Sequence, residues 1–214
     1  MDYIIQQQEL ATKVIKENKL PSEIQYIGGV DVAYQKDGEV VIAAITILDA
    51  NTLELKETVL HTENVSFPYI PGLFSFRELP PVLKAFKKLS IKPDLLICDS
   101  QGYAHPRRFG FACHLGVELD IPTIGCAKKR LIGNYDTSFE LKRGNAIELI
   151  DKDEVVGKVL CTQDNTKPLF VSIGHKVNLN IACEWVLFSA SKYRLPETTR
   201  TADHAVREAM KRKV

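Results

Sequence analysis

Apolar and polar residues fall at helical spacing at the start of the chain, roughly Gln6 to Asn18, and Pro21 closes that stretch. Ile24–Tyr34 and Glu39–Asp49 are then rich in strand-forming residues and are separated by Lys36-Asp37-Gly38, a strong hairpin signal. Leu53–Val65 supplies a third strand beyond a turn at Ala50-Asn51. Past a loop containing Pro68 and Pro71, the residues Leu79, Val82, Leu83, Phe86 and Leu89 recur at helical spacing, with Lys84, Lys87 and Lys88 facing out. Proline has no N–H to donate, so Pro80 and Pro81 fit only a first turn, and the helix is expected to begin near them. Asp94–Asp99 reads as a buried parallel strand, followed by a Gly-containing turn and an apolar helix from about Phe109 to Asp120. Ile121–Ala127 is another short buried strand, 145–173 reads as further hairpins, and two helices, about 178–191 and 199–213, follow.

Three antiparallel strands followed by strands alternating with helices predict an α/β fold. One mixed sheet, antiparallel at one side and parallel at the other, is flanked by helices. With no repeat and no linker, residues 1–214 are expected to form a single domain. No apolar run approaches the ~18 residues of a spanning helix, and Met1-Asp2-Tyr3 does not begin a signal peptide. The expectation is a cytoplasmic protein without membrane contact. Five cysteines, odd in number and without a Cys-x-x-Cys pair, point to reduced thiols. Cys98, His105, Cys113 and His114 come nearest to a zinc set, but their spacing fits no common pattern and core packing is the better reading. Formal net charge is only +1, yet residues 1–100 hold 10 basic and 14 acidic side chains while 101–214 hold 18 and 13. That asymmetry suits a polyanion held against a metal site, although many charged faces are merely solvated.

Four acids stand out. Asp31 lies inside a strand whose same-face neighbours, Gly29 and Ala33, are small, leaving room for a ligand in front of the carboxylate. The ordinary alternative is a partnered acid beside a bulge. Asp99 closes a buried strand and opens the turn Ser100-Gln101-Gly102, the end of a parallel strand where ligands collect, but Asp is also a common turn starter. Glu78 precedes Pro80-Pro81, where the helix dipole alone would favour an acid. Asp203 lies beside an apolar stripe of the last helix and has Arg207 four residues on as a simple ion-pair partner. Together, dispersed carboxylates on an α/β sheet suit Mg2+ or Mn2+, paired ions of which, roughly 4 Å apart, act on phosphodiesters. Arg107, Arg108, Lys128, Lys129 and Arg130 are candidates to hold phosphates. Pro68-Tyr69-Ile70-Pro71 offers a stiff loop whose tips either wedge between bases or pack ordinarily.

These residues fall into larger motifs. Gly29-Val30-Asp31-Val32-Ala33-Tyr34 is followed by Pro68-Tyr69-Ile70-Pro71-Gly72 with Phe76-Arg77-Glu78, then by Asp99 through Gly102 with His105-Pro106-Arg107. Ile124-Gly125-Cys126-Ala127-Lys128-Lys129-Arg130-Leu131 and Leu195-Pro196-Glu197-Thr198-Thr199-Arg200 with Ala202-Asp203 complete the series. In this order, over about 24–209, the chain resembles the endonuclease V family, nucleases acting at deaminated purines. The resemblance implies a ribonuclease H-like fold and Mg2+-dependent hydrolysis, with Mn2+ as a substitute. The bond cut is the second phosphodiester 3′ to inosine, leaving a 3′-hydroxyl and a 5′-phosphate, in DNA repair or inosine-RNA processing. Asp31, Glu78 and Asp99 match the metal-binding acids, and Asp203 matches a position that is Asp or His, with His204 in reserve. Lys128 matches a phosphate-contacting lysine and Tyr69 the wedge tyrosine, flanked by Pro68, Ile70 and Pro71. His105 matches a position near the site, and Arg107, in the same motif, is taken as nucleic-acid-binding. A shallow base pocket read by backbone groups implicates Gly72, Gly102 and Leu131. Ser100 departs from the usual glycine, which would matter if its φ were positive or if it approached the base. The implied partner is inosine-containing DNA or RNA; no obligate protein partner is implied, and a monomer is the default.

Other readings remain at the sequence level. A ribonuclease H or junction resolvase would keep the acids without needing the Pro68–Pro71 wedge. A sugar kinase or actin-like ATPase needs a Gly-rich phosphate loop, which Tyr34-Gln35-Lys36-Asp37 is not. A non-catalytic nucleic-acid-binding module would have no use for dispersed carboxylates.

Overall fold

The computed structural model describes residues 2–36 and 38–211. Asp37, in the middle of the expected hairpin turn, and the expected helix beyond Lys211 lie outside the described residues. An opening helix α1 (Tyr3–Ala11) leads to strands β1 (Tyr26–Tyr34), β2 (Val40–Asp49) and β3 (Leu55–Asn64). Helix α2 (Phe74–Phe86), strand β4 (Leu95–Cys98), helix α3 (Phe111–Leu119) and strand β5 (Thr123–Ala127) follow. Strands β6 (Ala146–Asp151), β7 (Glu154–Leu160) and β8 (Leu169–His175) precede the closing helices α4 (Leu179–Ser189) and α5 (Glu197–Lys211). All eight strands join one sheet in the order β3-β2-β1-β4-β5-β8-β7-β6.

The mixed α/β class is the expected one, with a difference in its second half. Parallel pairing is confined to β1–β4 and β4–β5, and the sheet returns to antiparallel pairing at β5–β8 and beyond. Helices could be laid between β1, β4 and β5 because the chain there has room for crossovers, whereas 145–173 has only hairpin turns. Alternation along the strands sorts the core into two faces. Val30, Ile45, Leu96 and Cys98 pack with Leu79 and Val82 of α2 and Leu115 of α3. Ile27, Leu48, Ile97, Ile124 and Val171 pack with Ala182 and Val186 of α4, while Ile42 and Ala44 meet Val206 of α5. The five cysteines are free and buried, as packing residues. Among the described residues no helix is long and apolar enough to cross a membrane.

Two helices depart from expectation. Instead of running to Asn18, α1 ends at Ala11, because the backbone beyond it is bonded to the end of β8. Lys176 N–H donates to Ile15 O at 2.7 Å and Lys19 N–H to Lys176 O at 3.0 Å. Helix α2 begins at Phe74, so Pro80 and Pro81 lie in its interior. The missing donors leave the carbonyls of Phe76 and Arg77 without their helical partners, a cost outweighed by burial of Leu79, Pro81, Val82 and Ala85 against the sheet. Glu78 consequently sits in the second turn of α2, buried, and not ahead of the helix.

Candidate active site

The carboxyl edge of the parallel strands gathers the chemistry. Asp31, inside β1, and Asp99, just past the end of β4, point to the same face, since Gly29 pairs with Ile97 and Asp99 N–H donates to Val30 O at 3.2 Å. Lys128 follows the end of β5, and Asp203 reaches in from α5. Among the described residues the only group of three or more potential metal ligands is Asp31, Asp99 and Asp203, whose ligand atoms lie within 4.8 Å of one another. Lys128 Nζ contacts Asp99 and stands 3.7 Å from Asp203 Oδ1. The expected ion pair of Asp203 with Arg207 is present as well, Nε to Oδ2 at 2.8 Å.

Helix α5 explains the small residues around Asp31. A Cβ on Gly29 would lie 1.8 Å from the carbonyl oxygen of Thr198, so the space expected for a ligand at Gly29 is filled by the first turn of α5. Close approach of that helix is what carries Asp203 over the strand ends.

Electrostatics follow from crowding. Burial, then the neighbouring charge of Asp99, pushes the Asp31 carboxyl up to about 7, against the Val32 N–H that donates to it at 2.9 Å. Glu78 lies outside the 4.8 Å group but beside it. Burial, with Asp31 adding, holds its carboxyl well above the usual range. The Tyr34 hydroxyl donates to Glu78 Oε1 at 3.4 Å, and the Arg77 guanidinium stacks 4.7 Å from the Tyr34 ring centre. Burial works against the Lys128 ammonium, but Asp99, Asp203 and Asp31 outweigh it and raise its pKa. Tyr34 and Arg77 were not singled out as site residues by sequence. Strand parity puts Tyr34 on the α2 face, and placing Glu78 inside the helix would have paired the two.

The remaining candidates range from exposed to buried positions. Pro68, Tyr69, Ile70 and Pro71 are all exposed, Tyr69 at 67%. Leu131 is also exposed. His105 is buried, its Nδ1 accepting from Arg107 N–H at 3.2 Å. Arg107 directs its guanidinium inward, to Gln7 and to Gly72 O, and Arg108 pairs with Asp151 and Glu154. Gly102 is buried, its N–H donating to Ser172 Oγ at 2.9 Å and its carbonyl accepting from Gly110 N–H at 2.9 Å. Ser100 does not have positive φ, so its side chain adds no backbone strain there, and its hydroxyl oxygen is buried without a partner. His204 is exposed and lines a groove between α5 and β3 with Leu60 and Thr62.

The sequence model of endonuclease V matches residues 8–204. The chain belongs to the endonuclease V family. An endonuclease V of Rippkaea orientalis is 49% identical over 197 residues, covering 92% of this chain and 85% of that protein. The crystal structure of the endonuclease V from Streptomyces avermitilis superposes with a TM-score of 0.93 at 45% identity, covering 98% of this chain and 92% of that one. The Ciona intestinalis endonuclease V, crystallised with a 24mer DNA containing an inosine followed by a ribo-adenosine, matches with a TM-score of 0.88 at 29% identity. That match covers 100% of this chain and 98% of the Ciona chain. The mixed sheet of this chain is ribonuclease H-like, as the resemblance implied.

Proposed function

We propose that this chain hydrolyses the second phosphodiester bond 3′ to inosine in nucleic acid, leaving a 3′-hydroxyl and a 5′-phosphate, in DNA repair or inosine-RNA processing within the cytoplasm. The observation that carries this reading is the convergence of Asp31, Asp99 and Asp203 beside Lys128 at the strand ends of a family member. The donors are carboxylate oxygens only, and the charges of Asp99 and Asp203 add to burial in raising the proton affinity of Asp31, a set suited to Mg2+, or to Mn2+ in its place. When bound, a divalent cation supplies positive charge that favours ionised water and the developing charge on the phosphodiester. Asp31, Asp99 and Asp203, with Glu78 alongside, hold it. Lys128 neutralises a phosphate oxygen. Tyr69, on the exposed tip with Pro68, Ile70 and Pro71, enters where the inosine leaves the stack. Gly72 and Leu131 line the base pocket, Gly102 shapes its wall, and His105 and Arg107 support the rim.

The test is cleavage of matched labelled DNA and RNA strands carrying one inosine, with Mg2+ or with EDTA. The expected result is one cut, one nucleotide beyond the inosine on its 3′ side, abolished by EDTA. The ratio of DNA to RNA rates names the substrate. A cut insensitive to EDTA, or one indifferent to inosine, would overturn the reading.

A further inference from the structure

Gln7 is the one buried residue of helix α1, 1% exposed. Both hydrogens of its carboxamide nitrogen are used: Nε2 donates to Gly72 O at 3.0 Å and to Phe109 O at 2.9 Å. Its Oε1 accepts from Arg107 Nε, and Arg107 Nη2 in turn donates to Gly72 O at 2.6 Å. Two donors from distant parts of the chain therefore converge on one carbonyl.

Gly72 has φ +79°, in the left-handed region, and a Cβ there would lie 2.4 Å from Arg107 Nη2. The backbone is thus fixed at the exit of the loop that carries Tyr69. Its entrance is gripped from the same helix, where the Tyr3 ring meets Phe67 edge-on at 4.9 Å and Phe76 at 5.2 Å. Between these anchors Pro68, Tyr69, Ile70 and Pro71 stand in solvent. Nothing in the chemistry of the acids needs a buried glutamine on the opening helix. Holding an exposed tip in one place does.

We propose that Gln7 is a positioning residue for the Pro68–Pro71 tip. It locks the Gly72 carbonyl and the Arg107 guanidinium so that Tyr69 is presented to nucleic acid without first being ordered. A tip ordered in advance loses less conformational freedom on binding, so the effect falls on affinity. This inference rests on the nucleic-acid reading above. It assigns a function to α1.

The decisive substitution is Gln7→Glu, which keeps the shape and an acceptor for Arg107 but has no N–H for the carbonyls of Gly72 and Phe109. Wild type, Gln7→Glu, Tyr69→Ala and the double variant are compared on an inosine-containing DNA strand with Mg2+. Expected is a roughly tenfold loss in kcat/KM for Gln7→Glu, carried by KM, with an unchanged Mg2+ midpoint. In the Tyr69→Ala background the same change costs less than about twofold, because the group through which Gln7 acts is gone. Hydrogen exchange gives a second readout: the Leu73 amide, bonded to Ile70 O, exchanges faster in Gln7→Glu while β1 and β4 amides do not. Losses that add in the double variant, or an unchanged Leu73 amide, would overturn the inference. Wild type that ignores inosine would instead overturn the functional reading, and the exchange measurement would still decide for or against the positioning of the loop. Should Gln7→Glu prove too unstable, Gln7→Met, uncharged and of similar volume, carries the same expectations.

Discussion

Asp99 shows how little room a single residue has at the strand ends. Its carboxylate meets Lys128 and belongs to the group with Asp31 and Asp203. Asn in its place keeps the volume and one acceptor oxygen but removes the charge. Asp99→Asn is therefore expected to lower cleavage by at least about a hundredfold. Folding and affinity for inosine-containing strands should stay near wild type, because the side chain is not part of the apolar core. Thermal melting and a binding titration beside the cleavage assay check this, and full activity in the variant would remove Asp99 from the site. Tyr69 is the contrasting case. With 67% exposure it contributes little to packing beyond its edge contact with Phe74, at 6.3 Å. Tyr69→Ala should weaken substrate engagement while moving the melting temperature by no more than a degree or two; a large fall would return the residue to ordinary packing.

Elements bring these residues together, and the contact of β1 with α5 is the most exacting. Gly29 has backbone, not side chain, in front of it: a methyl added there would meet Thr198 O at 1.8 Å and Thr198 C at 2.3 Å. Gly29→Ala must displace the first turn of α5, so it is expected to cost about 1–3 kcal/mol and lower the melting temperature by several degrees. Cleavage should fall further than stability explains, since Asp203 rides on the displaced helix. An alanine variant with wild-type melting and activity would show that α5 does not need this approach. The same contact explains what the sequence could and could not say. Strand alternation was enough to place Asp31 beside small neighbours, and the strand-end position of Asp99 followed from its buried run. That the small neighbours admit a helix and not a ligand depends on residues from opposite ends of the chain. Pro80 and Pro81 misled for a related reason: the rule against interior proline is local, and the apolar face of α2 overrides it. Gln7 carried no local signal at all, because a glutamine in a surface helix and one bonded to two distant carbonyls read alike in sequence.

Across the whole molecule, buried titratable groups pull stability in opposite directions as pH changes. His105 and His114 are both buried, and burial is the first cause pushing each down to about 4, with Arg107 and then Arg108 repelling charge at His105. An unfolded histidine titrates near 6.5. Between about 6.5 and 4 the unfolded chain therefore binds protons that the folded one refuses. The contribution is fully present above 6.5 and is lost as pH falls, up to about 3 kcal/mol for each residue by pH 4. Asp31 and Glu78 act with the reverse sign: their raised carboxyls take up protons in the fold more readily than in the unfolded chain, which favours the folded state as pH falls. Overall stability against pH mixes the two, so the informative quantity is a difference. His114 holds Ser75 Oγ at 3.1 Å from its Nδ1 and packs between Phe76 and Phe109, so His114→Gln should cost stability at pH 7.5. By pH 4.5 that gap should narrow by about 2 kcal/mol, because the variant has no imidazole to protonate on unfolding. Urea midpoints of the two proteins at both pH values measure it. A gap that does not change with pH would mean that His114 is protonated in the fold as readily as in water, which its aromatic surroundings make costly.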